Sequence, residues 1–505
     1  MVLTAGNYIS GIIGAISSIV VARVLGKDLF GSYSLILVVP GLLQLFLGFG
    51  VNSAVVRYSA YALSVGKPED ARRFSLNGTL FLCLTGSAIT LFNLVFAGPL
   101  AVILLHRSDL TPYVQLASLS TAGATLLQIV SFIAIGWNRM VLSSTFQVTQ
   151  GAIKVALSPT LVLLGFGVVG ALWGHITSLI VAGVVGMVSI YAAGLIKRGG
   201  GGSFLEDLRK MLAFGLPAYS GVLISNLAIN YATVVLAGIA TNAQFGLYSV
   251  AQNFLLPVTL VSASLVSGLF PAFASYDGIG GDAKVAFKLA YKFVSFLLMP
   301  LLVFLVPSAA LLIRLLYGAE YVPGAQYLSL FALAYIPIAF GYTVHPAFFN
   351  GFGRSRLTFL VYVSGAVALV VGAPLFGIVL GYGIDGIIYA TFASLFASWA
   401  VGTYLAERYM GARLDIKATG AIIAISLISY LATAFLPTVA HSTVLSLLFD
   451  LAVFFGVYLT LAPIAGAVSS RDLDIMENAF KGIKFVGSAF DLLIKYERRL
   501  ISLRS

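Results

Sequence analysis

Residues 290–313 read AYKFVSFLLMPLLVFLVPSAALLI, a run in which Lys292 is the single charged side chain. A helix needs about 20 mostly apolar residues to cross the hydrocarbon core of a bilayer, so this run predicts a membrane-spanning helix. Similar apolar blocks recur along the chain, separated by short polar segments. Ten-residue segments of alternating polarity, which mark a transmembrane β-barrel, do not occur. The sequence therefore predicts an all-α integral membrane protein.

The overall composition supports the same prediction. Of the 505 residues, 60% are hydrophobic and only 9% are charged, and the mean hydropathy is +1.02. Soluble domains carry about 25% charged residues, so this chain lacks the charge to cover a soluble surface. Its one cysteine, Cys83, allows no disulfide within the chain.

The apolar blocks predict about fourteen transmembrane helices. Their predicted ranges are 3–22, 30–51, 74–97, 112–136, 142–164, 168–193, 211–238, 246–271, 290–313, 325–349, 356–380, 384–406, 417–437 and 443–466.

The basic residues predict the orientation of these helices. If the N-terminus lies in the cytoplasm, 24 of the 29 Lys and Arg residues fall in cytoplasmic segments, and four fall outside. Cytoplasmic loops of membrane proteins are enriched in Lys and Arg, so this bias predicts cytoplasmic termini and an even number of helices. The net charge of +11 then indicates contact with anionic membrane lipids, and no nucleic-acid partner is expected.

An internal repeat predicts how the helices are grouped. Phe30-Gly31-Ser32-Tyr33-Ser34 recurs as Phe245-Gly246-Leu247-Tyr248-Ser249, and the glycine-rich segment 165–170 recurs at 381–386, at offsets of 215 and 216 residues. Such a constant offset indicates a duplicated unit, here two parallel six-helix lobes followed by two extra helices. The predicted divisions are an N-terminal lobe at 1–195, a cytoplasmic linker at 196–210, a C-terminal lobe at 211–410, two further helices at 411–468 and a cytoplasmic amphipathic tail at 469–505.

A polar stripe follows the fifth predicted helix. Ser143, Gln147, Gln150, Lys154 and Ser158 are spaced at three and four residues, so they share one helical face. A lysine near the middle of a bilayer costs roughly 3 kcal/mol unless it meets water, a partner or a ligand. We interpret the stripe as one wall of a hydrated cavity between the lobes. The alternatives are hydrogen bonds between helices and a structural pairing or snorkelling of Lys154.

Other polar residues within or at the ends of predicted helices extend the candidate site. The substrate-binding candidates are Lys154, Arg57, Arg23, Gln147, Gln150, Asn7, Asn226 and Asn230. Arg23 and Arg57 end their helices, where they contact either substrate or the membrane interface. Asp450 is a candidate for ion coupling, with a polar contact at the outer leaflet as the alternative. No catalytic residue, metal site or cofactor is predicted.

Several segments resemble a known family. Residues 22–34, ARVLGKDLFGSYS, are similar to the first-loop signature of the Wzx-like polysaccharide flippases of the multidrug/oligosaccharidyl-lipid/polysaccharide exporter superfamily. Phe214-Gly215-Leu216-Pro217, residues 316–321 (LYGAEY) and Asn350-Gly351-Phe352-Gly353-Arg354 resemble its later landmarks, in the same order. The resemblance extends over nearly the whole chain.

The resemblance implies a flippase, not an enzyme. Its substrate would be a polyprenyl-diphosphate-linked oligosaccharide, moved by alternating access from the cytoplasmic to the outer leaflet of the cell membrane for polysaccharide or glycan biosynthesis. The implied partners are this lipid-linked glycan, membrane lipids and glycan-assembly enzymes, and a monomer would suffice. A diphosphate is stabilised by Lys and Arg in a low-dielectric cavity, which agrees with the stripe.

Two alternatives use other cargo or other chemistry. A related exporter would carry a peptidoglycan-precursor lipid or would expel drugs with a coupled cation, although the helices of the first lobe lack the acidic residues expected for cation coupling. A membrane-embedded glycan polymerase or ligase would need a large outer loop or clustered acids. The outer acids Asp28, Asp109, Glu320 and Asp385 are widely separated.

Overall fold

The computed structural model consists of α-helices joined by short turns. It describes residues 2–197, 203–276, 280–435 and 443–468, together with the single residues Leu473, Tyr496 and Arg498. The helices are α1 (Val2–Gln44), α2 (Val51–Ser64), α3 (Pro68–Val95), α4 (Ala97–Leu105), α5 (Thr111–Gly136), α6 (Met140–Leu161), α7 (Gly167–Ala192), α8 (Phe204–Ile239), α9 (Asn242–Asn253), α10 (Leu256–Ala274), α11 (Gly281–Leu316), α12 (Ala325–Ala334), α13 (Ile336–Ala339), α14 (Val344–Gly351), α15 (Ser355–Pro374), α16 (Gly383–Met410), α17 (Ile416–Ala434) and α18 (Thr443–Ile464).

The all-α prediction is confirmed, since the described residues contain no strand. Within them, twelve segments are long and apolar enough to cross a membrane. Two of these, Tyr8–Ser64 and Met140–Ala192, are 57 and 53 residues long. The first contains a break at Gly26, where φ is 75° and ψ is 168°. The count of about fourteen helices is not confirmed by the twelve segments and stays a prediction.

Packing divides the described chain into two compact units. The first comprises Met1–Asn253 and Ala366–Ala390, and the second comprises Phe254–Gly365 and the described part of Thr391–Ser505. The predicted lobes follow the sequence repeat rather than packing, so their boundaries stay a prediction. The glycine run 199–202 of the predicted linker lies outside the described residues, as does the predicted tail at 469–505 except for three single residues. Residues 204–210, also assigned to the linker, form the start of α8.

The two copies of the repeated Phe-Gly-x-Tyr-Ser motif contact each other in the first unit. Gly31 lies on α1 and Gly246 lies on α9. A β-carbon on Gly31 would overlap the carbonyl group of Asn242, and one on Gly246 would overlap the carbonyl oxygen of Lys27. Each glycine therefore faces the residue four positions before its counterpart, and the contact is symmetric. Only glycine permits this approach of the two helix backbones.

Aromatic side chains flank this crossing in the same symmetric way. The ring centroids of Phe30 and Tyr33 are 6.1 Å apart, and those of Phe245 and Tyr248 are 6.2 Å apart. All four side chains are buried. The duplicated sequence thus produces duplicated packing on both sides of the glycine contact.

A buried charge anchors the first turn of α8 to α3. Asp207 is only 2% exposed. Its carboxylate accepts a hydrogen bond from Asn77 Nδ2 at 2.7 Å and lies 3.0 Å from Arg73 Nε, and Arg73 also pairs with Asp70 at 3.1 Å. A buried carboxylate is tolerated when it is paired and hydrogen-bonded. This cluster therefore fixes the start of α8 against the first repeat.

Further along α8, the backbone comes close to the segment that precedes α2. A β-carbon on Gly215 would overlap the carbonyl group of Gly50. One turn later, the Tyr219 hydroxyl donates a hydrogen bond to the carbonyl oxygen of Leu45 at 2.9 Å. One face of α8 is thereby held against the first repeat.

The glycine crossing makes a prediction about stability. We expect Gly31→Ala and Gly246→Ala each to cost about 1–3 kcal/mol, because the added carbon forces α1 and α9 apart. The measurement is thermal unfolding of the purified full-length protein in detergent. Gly14→Ala is the matched control, because a β-carbon there meets nothing within 4 Å and alanine favours the helix by up to about 1 kcal/mol. Equal melting temperatures for the Gly31 and Gly14 variants would contradict the close contact of α1 and α9 at Gly31.

Candidate substrate-binding site

Two serines of α1 hold α6 in register. Ser10 Oγ donates to the carbonyl oxygen of Gln147 at 3.2 Å, and Ser17 Oγ donates to that of Lys154 at 3.4 Å. The donors and the acceptors are each seven residues apart, so the two helices run in parallel and stay in phase over two turns. This contact places Lys154 beside α1.

Two residues of the polar stripe bond to α7 on the other side of α6. Gln150 Nε2 donates to Ser178 Oγ at 3.0 Å, and Ser158 Oγ donates to the carbonyl oxygen of Ala171 at 3.3 Å. From Gln150 to Ser158 the residue number increases along α6, whereas from Ser178 to Ala171 it decreases along α7. The helices α6 and α7 are therefore antiparallel. The bonds agree with the alternative interpretation of the stripe for Gln150 and Ser158, because both side chains hold helices together. A ligand-binding role for Gln150 stays a prediction.

Lys154 lies between these two hydrogen bonds. Its side chain is half-buried, and its ammonium group makes no hydrogen bond or ion pair with the residues that the structure describes. Helices α5, α6 and α7 contain no Asp or Glu. The register of these two hydrogen bonds instead places another basic residue, His175 of α7, opposite Lys154. Gln147 is likewise half-buried, without a described side-chain partner.

Arg57 forms a second cationic position, on α2. Its side chain is exposed, and its guanidinium carbon lies 4.3 Å from the centroid of the Phe214 ring and 5.9 Å from that of Tyr58. A guanidinium stacked on a ring face keeps its N–H groups free at the edge. In the described part of the chain, Arg57 has no ion pair. The stacking therefore orients a charge that remains available to a ligand.

The structure does not join the predicted residues into one contact cluster. Arg23 is exposed on α1, about 9 Å along the helix axis from Ser17, and it has interactions of its own. On α8, Asn230 Nδ2 donates to the carbonyl oxygen of Asn226 at 2.9 Å, within its own helix. Asp450 is half-buried in α18, in the second unit, without a partner among the described residues.

The Asn7 side chain lies outside the described residues. The other seven substrate-binding candidates all lie in the first unit. Their roles as ligands stay predictions.

His175 and Phe214 are site residues that sequence reasoning missed. His175 shares one face of α7 with Ala171 and Ser178, because the three residues are spaced at four and three positions. That spacing indicates a shared helix face. A single histidine among apolar residues does not by itself indicate a site. Phe214 lies in the Phe-Gly-Leu-Pro motif of the resemblance, but only the packing of α2 against α8 reveals its contact with Arg57.

A groove elsewhere in the first unit has a different chemistry. It has a volume of about 680 Å³ and is lined by apolar side chains, with Tyr231 as its one residue bearing a hydroxyl. Its lining is Leu42, Leu104, Ile224, Leu227, Ala228, Tyr231, Val234, Ala366, Val367, Val370 and Val371. Such a surface accommodates hydrocarbon and offers no cation to a phosphate. Among the described residues, no group of three or more His, Cys, Asp or Glu could hold a metal ion.

Solved structures with a similar fold are membrane transport proteins. The lipid II flippase MurJ, in an inward closed conformation, matches with a TM-score of 0.75 and 16% identity over 92% of this chain and 98% of that chain. An inward-facing multidrug resistance MATE family transporter of the MOP superfamily matches with a TM-score of 0.68 and 17% identity, over 80% of this chain and 95% of that one. The chain therefore has the fold of the MOP superfamily, as the resemblance predicted.

A third solved structure has a similar fold. This MOP superfamily transporter from Pyrococcus furiosus, with a binding pocket of reverse polarity, matches with a TM-score of 0.59 and 17% identity, over 81% of this chain and 94% of that one. No curated protein sequence matches the chain.

A family comparison then identifies the chain itself. The family model described as "Polysaccharide biosynthesis protein" matches residues 1–277, more than half of the 505 residues. The chain belongs to this family and is a multi-pass membrane protein. The prediction that it is not an enzyme agrees with the similar structures, which are a flippase and transporters.

The stripe makes a prediction that separates packing from ligand binding. Gln150→Ala should lower stability by about 1–3 kcal/mol, because it removes a hydrogen bond within the helix bundle. Gln147→Ala should leave the melting temperature unchanged and weaken transport, because that side chain has no described partner to lose. Thermal unfolding and a transport assay on both variants check this. Unchanged stability of Gln150→Ala, or a Gln147→Ala variant that transports normally, would contradict the respective assignment.

Proposed function

We propose that this protein is a flippase for a polyprenyl-diphosphate-linked oligosaccharide. It moves the diphosphate-sugar head from the cytoplasmic to the outer leaflet by alternating access, while the isoprenoid tail stays in lipid. The transported glycan serves polysaccharide or glycan biosynthesis. The observation that carries this proposal is a Lys154 side chain inside a helix bundle without a described counter-ion, in a chain of the polysaccharide biosynthesis family.

The charge of the candidate site favours an anionic head group. Lys154 and Arg57 are cationic and lack ion pairs among the described residues, and α5–α7 hold no carboxylate. An unpaired ammonium inside a membrane-spanning helix is costly, and an anion that binds it recovers part of that cost. A diphosphate supplies such an anion. The amide and hydroxyl groups of the polar stripe on α6 can form hydrogen bonds with the hydroxyl groups of a sugar.

The proposed membrane location and orientation rest on the distribution of Lys and Arg. The protein resides in the plasma or inner membrane with both termini in the cytoplasm, as the excess of Lys and Arg in the predicted cytoplasmic segments favours. Its partners are the lipid-linked glycan, membrane lipids and, as a further candidate class, glycan-assembly enzymes. A single chain carries both repeats, so a monomer can operate.

A second candidate cargo is a peptidoglycan-precursor lipid. The observation that favours it is the match to the lipid II flippase MurJ over 92% of this chain. Both cargoes share a polyprenyl diphosphate, so the cationic site serves either, and only the glycan distinguishes them. Drug export coupled to a cation is less favoured, because α5–α7 lack acids.

The direct test is flipping in proteoliposomes. A fluorescent polyprenyl-diphosphate oligosaccharide is incorporated, and exposure of its head on the opposite leaflet is followed over time for wild type, Lys154→Ala and Lys154→Gln. We expect wild type to flip the lipid and both variants to lose at least about tenfold in rate, because one charge-assisted contact to the diphosphate is worth roughly 1.5–3 kcal/mol.

Two controls make this result specific. Lys288→Ala removes an exposed lysine from the second unit and should flip at the wild-type rate. A peptidoglycan-precursor lipid and a cationic dye replace the oligosaccharide lipid in parallel reactions. Failure of wild type with every oligosaccharide lipid, while one of the other cargoes moves, would reject the proposed function. Normal flipping by both Lys154 variants would retain the function and make Lys154 structural.

A further inference from the structure

His175 and Lys154 are basic groups that face each other across the α6–α7 contact. Along the two helices, this pair lies between the hydrogen bond of Gln150 with Ser178 and that of Ser158 with Ala171. This antiparallel register places Lys154 opposite His175. Two groups able to carry positive charge are thus held together by the helix packing itself.

Neither group is satisfied by the described protein atoms. The His175 Nδ1 atom is buried and has no hydrogen-bond partner in the described part of the chain. The Lys154 ammonium has none either. A buried polar group without a partner is destabilising, so a ligand that bonds to it gains free energy. A packing role explains Gln150 and Ser158, but it explains neither of these two groups.

The surrounding helices offer no counter-charge. Helices α5, α6 and α7 contain no Asp or Glu, and the single acid of α1 is Asp28, which lies beyond the break at Gly26. The pair therefore has two donors and no acidic residue on these four helices.

We propose that Lys154 and His175 together bind the diphosphate of the lipid-linked substrate, and that His175 makes this site selective for a diphosphate over a monophosphate. This inference rests on the proposed function and assigns a role to His175, which acts through a hydrogen bond from Nδ1–H to a phosphate oxygen. One ammonium suffices to hold a single phosphate. The second donor, His175, is held at a fixed position by the helix packing. It forms its hydrogen bond only when a second phosphate is present.

The test measures binding to the purified full-length protein in nanodiscs by calorimetry. The probes are farnesyl diphosphate, farnesyl monophosphate and farnesol, which share one tail and differ in the head. We expect wild type to bind the diphosphate at least about tenfold tighter than the monophosphate, because it gains one charge-assisted hydrogen bond. His175→Leu should reduce that ratio to about one, and Lys154→Met should weaken both phosphates relative to farnesol.

Conservative variants separate a direct contact from a structural effect. His175→Asn keeps an amide donor near the position of Nδ1 and should retain the preference for diphosphate. His175→Gln carries its amide further out, near the position of Nε2, and should lose it. If His175→Leu does not fold, this Asn and Gln pair gives the same answer. Lys288→Met, an exposed lysine in the second unit, controls for the lost charge.

Three outcomes would overturn the inference. They are wild type binding mono- and diphosphate equally, His175→Leu keeping the wild-type ratio, and no binding of farnesyl diphosphate at all. In each case the flipping assay with wild type still decides the proposed function on its own. If His175→Leu also loses farnesol binding, its fold is disturbed and the comparison of His175→Asn with His175→Gln decides.

Discussion

The crossing of α1 and α9 at Gly31 and Gly246 is the constraint on which the first unit depends. Because each glycine faces a backbone carbonyl, the two helices pack at a distance that no other residue permits. The crossing ties the start of the second repeat to the first. Asp207 anchors the beginning of α8, and Arg107 Nη2 donates to the carbonyl oxygen of Ala240 at 3.1 Å just beyond its end. Together these contacts explain why α8 and α9 pack with the first repeat.

Within this packing, the candidate site contains two basic groups without a partner among the described residues, the Lys154 ammonium and the His175 Nδ1 atom. Ser10, Ser17 and Ser178 use their hydroxyl groups to fix α6 between its neighbours. That register leaves Lys154 and His175 together without an acid. A membrane protein gains nothing in stability from such a pair, so its presence favours binding of an anion. Arg57, stacked on Phe214, adds a second available charge on α2.

The sequence predicted some helices closely because hydrocarbon imposes a length and a composition on each of them. The predicted span 30–51, however, is divided between α1, which ends at Gln44, and α2, which begins at Val51. Helix α5, predicted at 112–136, is Thr111–Gly136, and α7, predicted at 168–193, is Gly167–Ala192. The constant offset of 215 residues predicted a duplication but not that its two glycines touch. Contacts between helices, such as Gln150 with Ser178, depend on rotational register, which hydropathy does not encode. The spacing of His175 and Ser178 predicts a shared face of α7, but not that this face meets Lys154. Both stripe side chains with described hydrogen bonds, Gln150 and Ser158, join helices.

The central claim is that this protein holds a polyprenyl diphosphate at a cationic site in its first unit. The most direct measurement is mass spectrometry of lipids that remain bound after gentle purification from native membranes, for wild type and Lys154→Gln in parallel. The account predicts a prenyl-diphosphate-linked glycan on wild type and its loss from the variant, with ordinary phospholipids unchanged. Phospholipids alone on both proteins, or the same glycan lipid bound equally to both, would contradict it.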